Sequence, residues 1–285
     1  ATRHTAARHS PHDAERRDTR VLTNPRADRV RSVAALSRRS ARERAGLFVA
    51  EGPQSVREAV RFRPEAIRDL YVTAEAGERH TEIVDAATAA GVHVHECTPE
   101  VLAAMSDTDA PQGLLAVCRV LTSTLADVLA RRPRLLVVLA HVRDPGNAGT
   151  VLRGADAAGA DAVIVSEASV DVFSPKVVRS TAGSLFHVPV VTGLPVPQIL
   201  AELAGAGITR LAADGAGTRL LPEVDLTRPH AWVMGNEAWG LPQPLREACD
   251  EVVRVPIFGH AESLNLAMAA TVCLYASALA QHPAG

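Results

Sequence analysis

Short apolar runs alternate with amphipathic stretches along most of this chain. Val30, Val33 and Leu36 step at helical spacing with arginines on the polar side, which predicts a helix. Residues 46–50 and 70–73 read as strands, and residues 54–61 and 82–90 as helices, the second ended by Gly91. Residues 92–95 alternate as an edge strand does, and Thr98-Pro99-Glu100 carries the capping signature of a helix start. Residues 114–119 close this unit as a strand.

Residues 120–134 read as a helix and a linker, ended by Arg131-Arg132-Pro133. Beyond them, residues 135–140 form a continuous apolar run, the character of a parallel strand buried on both faces. Similar runs recur at 162–165, 188–191, 210–213, 231–234 and 252–255, with helices predicted over 148–158 and 263–280. Strands alternating with helices predict a parallel sheet covered on both sides. The fold class is therefore α/β: a smaller α/β domain over residues 21–119, a linker over 120–134, and a parallel-sheet, Rossmann-like domain over 135–285. Residues 1–20 are polar and aperiodic and are expected to be a disordered basic arm.

Charge adds a possible partner. The net charge of −2 conceals 12 arginines against five acids in residues 1–44, a basic arm on a mildly acidic body. That arrangement is common in nucleic-acid enzymes. Of the 30 basic residues only Lys176 is lysine, so nearly every available phosphate contact is a planar, permanently charged guanidinium. Cys97, Cys118, Cys249 and Cys273 are scattered without a C-x-x-C pair, which argues against a zinc framework and fits reduced thiols. No apolar stretch approaches the ~18 residues of a membrane span, and no signal-peptide core is present, so a cytoplasmic protein is expected.

The chemistry-bearing residues sit where predicted strands end. Residues 144–149 join a strand to a helix but hold neither G-x-G-x-x-G nor G-x-x-x-x-G-K-[ST], which argues against nicotinamide or ATP binding. Gly215-Ala216-Gly217 lacks the third glycine of such a fingerprint, and the 11 histidines form no metal-ligand spacing. In the first segment Pro145-Gly146 reads as a tight turn, Asn147 as a residue near the helix N-cap, and Arg153 as a phosphate clamp or a surface ion pair. In the second, Gly235 and Gly240 bracket a loop containing Glu237, a helix-cap acid, the partner of a cation or a group that orients a neighbouring basic residue. In the third, a strand ends at Val255-Pro256 and a helix rich in small residues starts at Ser263, with Ser263 and Asn265 as capping candidates; small faces of that kind mark close approach to another element, often a partner helix.

Together these segments resemble the SpoU–TrmH (SPOUT) family of RNA ribose 2′-O-methyltransferases. The matching motifs are Asn147-x-Gly149-Thr150 with Arg153, Met234-Gly235-x-Glu237-x-x-Gly240, and Val255-Pro256 with Ser263-Leu264-Asn265. Residues 175–184 and 186–189 match the family's connecting segment, and residues 30–119, with Glu51-Gly52 and Pro111-Gln112-Gly113, resemble its ribosomal-protein-like substrate-binding domain. The resemblance implies a deep trefoil knot in the C-terminal domain and a homodimer formed through it. It also implies S-adenosyl-L-methionine bound by Ala213, Asp214, Gly235, Asn236, Val255, Ile257 and Leu264, with no metal. It assigns proton removal to Arg153 and shaping of the site to Asn147, Glu237, Ser263 and Asn265. An arginine is normally too basic to accept a proton, so either its neighbours poise Arg153 as base or it holds a phosphate. The implied substrate is large-subunit ribosomal RNA, with antibiotic self-protection as one possible role. A tRNA substrate and a non-catalytic RNA-binding protein are the alternatives.

Overall fold

The computed structural model describes residues 21–282; the basic arm expected at residues 1–20 lies outside the described residues. The first sheet contains β1 (Leu47–Glu51), β2 (Ile67–Val72), β3 (His93–Glu96) and β4 (Leu114–Arg119) in the order β1-β4-β2-β3. β4 runs antiparallel to β1 and β2, and β3 lies parallel to β2 at the edge. Thr98 caps the helix Pro99–Met105 by accepting from the Val101 amide, as its sequence signature predicts.

The second sheet is parallel throughout. Its strands are β5 (Leu135–Leu139), β6 (Ala162–Ser166), β7 (Val190–Leu194), β8 (Thr209–Ala213), β9 (Arg219–Leu220), β10 (His230–Met234) and β11 (Glu251–Arg254). Their order is β7-β6-β5-β10-β8-β11-β9. β5, β6 and β10 are buried along their whole length, as continuous apolar runs require. Alternate side chains of β5 feed different cores. Leu135, Val137 and Leu139 face the helices Pro145–Ala157 and Leu266–Gln281, whereas Leu136 and Val138 face the helix Val196–Gly205.

The helix expected within residues 120–134 is Leu125–Ala130, with Leu125 and Val128 buried against the second face of the sheet. Several boundaries differ from the sequence reading. β2 begins at Ile67 rather than 70. β7 begins at Val190 rather than 188, since the Val188 amide still closes a turn onto the Ser184 carbonyl. The last helix starts at Leu266, not at 263; the Asn265 side chain caps it by accepting from the Ala267 and Met268 amides. Its small residues Ala267, Ala270, Cys273 and Ser277 are buried inside the subunit, not against a partner helix. Trp232 Nε1 donates to Ser277 Oγ at 2.8 Å, tying the helix to β10. Burial holds the adjacent His230 imidazole below the usual histidine range.

The two sheets share one apolar core. Phe48 of β1 packs on Phe173 and Phe186, with ring centroids 5.0 and 6.1 Å apart. Beside them His187 lies 2.8 Å from both Glu58 and Asp156. Arg42, one of the arginines counted in the basic arm, is not free for phosphate. Its Nε and Nη2 donate to Asp171 at 3.0 and 2.6 Å, and its Nη1 donates to the Leu36 and Ser37 carbonyls at 2.8 Å. Only 5 % of that side chain is exposed. Arg42→Ala leaves Asp171 without its cation and is expected to cost ~3–5 kcal/mol. Urea unfolding followed by circular dichroism checks this; a loss below ~1 kcal/mol would show that the pair does not hold the sheets together. No helix among the described residues is long and apolar enough to cross a membrane.

Candidate active site

The carboxyl ends of β8, β10 and β11 open onto a cavity of about 910 Å³, within the range of ligand clefts. Glycine builds the β10 wall. A Cβ on Gly235 would lie 2.3 Å from the Gly240 carbonyl carbon, so only glycine lets the two backbones approach. The Asn236 amide donates to the Gly240 carbonyl at 3.0 Å, and the Gly240 amide, with φ +66°, donates back at 2.9 Å.

That loop is stapled to the segment after β5. The Asn236 side-chain amide donates to the His141 carbonyl at 2.7 Å, and His141 sits in the left-handed region at φ +57°. Glu237 pairs no cation among the described residues; its carboxylate accepts from the Arg143 and Asp144 amides at 3.2 and 3.0 Å. Asp144 is the N-cap of the helix Pro145–Ala157, accepting from the Asn147 amide. Pro145 and Gly146 are therefore helical, not a tight turn. Asn147 lies inside the first turn, and its Oδ1 accepts from Asn265 Nδ2 at 3.0 Å. Gly149 serves helix packing instead of a ligand: a Cβ there would meet Ser180 Cβ at 2.4 Å.

The β8 wall comes from Ala213, Asp214 and Gly215, and residues 214–218 cross from β8 to β9 over β11. Asp214 turns that connection, with Oδ1 accepting from the Ala216 amide at 2.8 Å. A Cβ on Gly217 would lie 2.8 Å from the Val252 carbonyl oxygen. Gly217 of Gly215-Ala216-Gly217 thus answers to a backbone crossing, whereas a Cβ on Gly215 would meet nothing within 4 Å.

The profile of the SpoU rRNA Methylase family matches residues 134–275, and that of the MRM3-like substrate binding domain matches residues 27–116. The chain is 35 % identical over 234 residues to 23S rRNA (guanosine-2′-O-)-methyltransferase RlmB of Bordetella pertussis, covering 80 % of this chain and 96 % of that one. The chain belongs to the SpoU rRNA methylase family. Among solved structures, the AdoMet-bound rRNA methyltransferase from Sinorhizobium meliloti matches with a TM-score of 0.80 and 30 % identity, over 90 % of this chain and 97 % of that one. The SpoU methyltransferase AviRb from Streptomyces viridochromogenes, in complex with AdoMet, matches with a TM-score of 0.78 and 30 % identity, over 88 % and 98 %.

The SpoU motifs converge. Asn147, Glu237, Ser263 and Asn265 line the cavity, as do Ala213, Asp214, Gly235, Asn236, Val255, Ile257 and Leu264. Arg153 does not line it. It is exposed on the helix Pro145–Ala157. Six residues beyond Asn147 place it ~9 Å further along the axis and about a third of a turn around. The sequence reading missed Arg246, Arg254 and Glu262, which also line the cavity. Arg246 Nη1 donates to the Leu241 carbonyl at 3.1 Å, on a short helix whose position four residues past Pro242 was the available signal.

Proposed function

We propose that this chain transfers the methyl group of S-adenosylmethionine to a ribose 2′-hydroxyl of 23S ribosomal RNA, in the cytoplasm. The observation that carries this is the convergence of Gly235, Val255 and Leu264 on one cavity, in a family whose AdoMet-bound members superimpose on nine-tenths of the chain. The residues fit the cofactor. Val255, Ile257 and Leu264 would offer apolar wall for a planar base, the glycine loops leave backbone groups accessible, and Asp214 and Glu237 add negative charge to the lining that would suit a cationic cofactor.

The bound cofactor supplies a methyl group already activated by its sulfonium. The chain's task is then chiefly alignment, which is worth effective molarities of ~10⁵ M or more. Asn147, Asn265 and Ser263 stand at one wall, where they orient the ribose. Glu237 acts on position, fixing the backbone from which Asn147 projects. Glu237→Gln sets an amide N–H₂ against a backbone N–H, and cofactor affinity measured by calorimetry is expected to fall about tenfold. An unchanged Kd rules that positioning role out.

The domains divide the work: residues 21–119 hold the RNA, residues 120–134 connect, and residues 135–285 carry the chemistry. We also infer that the last strand, loop and helix are threaded as a trefoil knot. Support comes from β11, which pairs with β8 on one side and β9 on the other while residues 214–218 pass over it. A homodimer completes the site. Met268, Val272, Tyr275 and Leu279 form an exposed apolar stripe at helical spacing on the last helix, with Met268 at 60 % and Leu279 at 71 % exposure. Gly154, next to Arg153, approaches Thr271 of that helix, so a partner docked on the stripe lies beside Arg153. Arg153 of one subunit then serves the partner's cavity, as base or as phosphate clamp.

The deciding experiment incubates the protein with methyl-labelled S-adenosylmethionine and 23S rRNA, then digests the RNA to nucleosides. Label in a 2′-O-methylnucleoside is expected; label on a base, or transfer to tRNA alone, overturns the reading. Calorimetric titration showing no cofactor binding would favour a non-catalytic RNA-binding protein.

A further inference from the structure

We propose that Trp239, backed by the Arg143 guanidinium, is a stacking platform for an unpaired base of the RNA substrate at the mouth of the cavity. The proposal rests on the methyltransferase reading and adds to it the group that holds the substrate base.

The chain has two tryptophans with opposite surroundings. Trp232 is wholly buried in β10, whereas Trp239, seven residues on, lines the cavity and is 53 % exposed. A large indole left half in water beside a ligand cleft marks a contact surface. Its frame is rigid. The Asn236–Gly240 backbone pair closes the loop, Asn236 Oδ1 accepts from the Ala238 amide at 2.8 Å, and Glu237 binds the loop to residues 143 and 144. The Arg143 guanidinium carbon lies 5.4 Å from the Trp239 ring centroid, and the side chain makes no ion pair among the described residues. Two planar groups, one of them cationic, are thus held one over the other beside the cavity.

The proposed chemistry supplies the reason. Stacked RNA displays its 2′-hydroxyls along a shallow groove; bringing one into the interior of a cavity is helped by drawing its nucleotide out of the stack, which costs a few kcal/mol. Unstacked RNA bases are commonly received on aromatic rings and arginine planes, at about 1–3 kcal/mol per base and with little sequence preference. Trp239 replaces the lost stacking, and the Arg143 charge sits where the strand's phosphates approach.

Trp239 is its own reporter, since the buried Trp232 is shielded from solvent. With the full chain saturated by S-adenosylhomocysteine, a short single-stranded oligoadenylate is expected to quench tryptophan emission. A blunt RNA duplex should quench it far less, and Trp239→Phe should abolish the response. In turnover, Trp239→Ala should raise KM for 23S rRNA about tenfold, Trp239→Phe should recover most of it, and the Kd for S-adenosylmethionine should stay within about twofold in both. Absence of quenching by the single strand overturns the proposal, as does an unchanged KM in Trp239→Ala. A parallel loss of cofactor affinity also overturns it, by placing the indole in the cofactor's wall. Because the fluorescence measurement needs no turnover, quenching without methylation would sink the methyltransferase reading and leave the platform standing.

Discussion

Arg153→Lys is expected to lower turnover on 23S rRNA by roughly a hundredfold, the scale of removing one positioned charge or donor, while S-adenosylmethionine binds as before. Lysine keeps the charge but not the planar fork, and it reproduces neither the geometry of a phosphate clamp nor that of a poised guanidinium. Affinity for the cofactor should hold because Arg153 does not line the cavity of its own chain. The same fact makes a sharper test possible. Arg153→Ala and Asn265→Ala are each expected to be inactive, yet mixed and reassociated they should regain roughly a quarter of wild-type activity. Half of the dimers are then mixed, and each mixed dimer holds one whole site. Near-full turnover in Arg153→Lys removes both proposed roles, and failure of the mixture to recover removes the shared site.

Gly235→Ala should weaken cofactor binding at least tenfold and lower the melting temperature. The added Cβ would stand 2.3 Å from the Gly240 carbonyl carbon and 2.6 Å from its oxygen. Both atoms are backbone, so no side chain can swing away and the loop must open. Overpacking of this kind typically costs ~1–3 kcal/mol, and here it falls on the pair of hydrogen bonds that closes the cavity wall. Gly205→Ala is the control, since a Cβ there meets nothing within 4 Å. Calorimetry with S-adenosylmethionine decides the matter: equal affinity in the Gly235 and Gly205 variants would mean the close approach is irrelevant to the site.

Much of the architecture was legible because the local signals were strong. The Leu135–Leu139 run is buried on both faces, as its unbroken hydrophobicity required. Thr98 caps the helix that its pattern announced. The errors cluster where a local signal had two physical explanations. The small residues after Ser263 suited a helix–helix contact between subunits, but they pack inside one subunit, and the large residues of the same helix face outward. Pro145-Gly146 suited a turn, but proline is equally at home in the first turn of a helix once Asp144 caps it. Glu237 had a recognised motif but an unforeseen task, because its partners are backbone amides, which carry no sequence signature.

By itself the amino-acid order determined every strand but the two-residue β9, the longer of the amphipathic helices it announced, and the three loops that matter, since each depends on hydrophobic period or on turn and cap residues within a few positions. It could not determine that residues 214–218 would pass over β11, that Asn147 and Asn265 would meet across 118 positions, or that Arg153 would stand outside the cavity. Those outcomes depend on strand order and on backbone-to-backbone approach over long separations. There the burial of both sheet faces selects the partner, and glycine, having no side chain, permits contacts whose identity only the folded chain discloses.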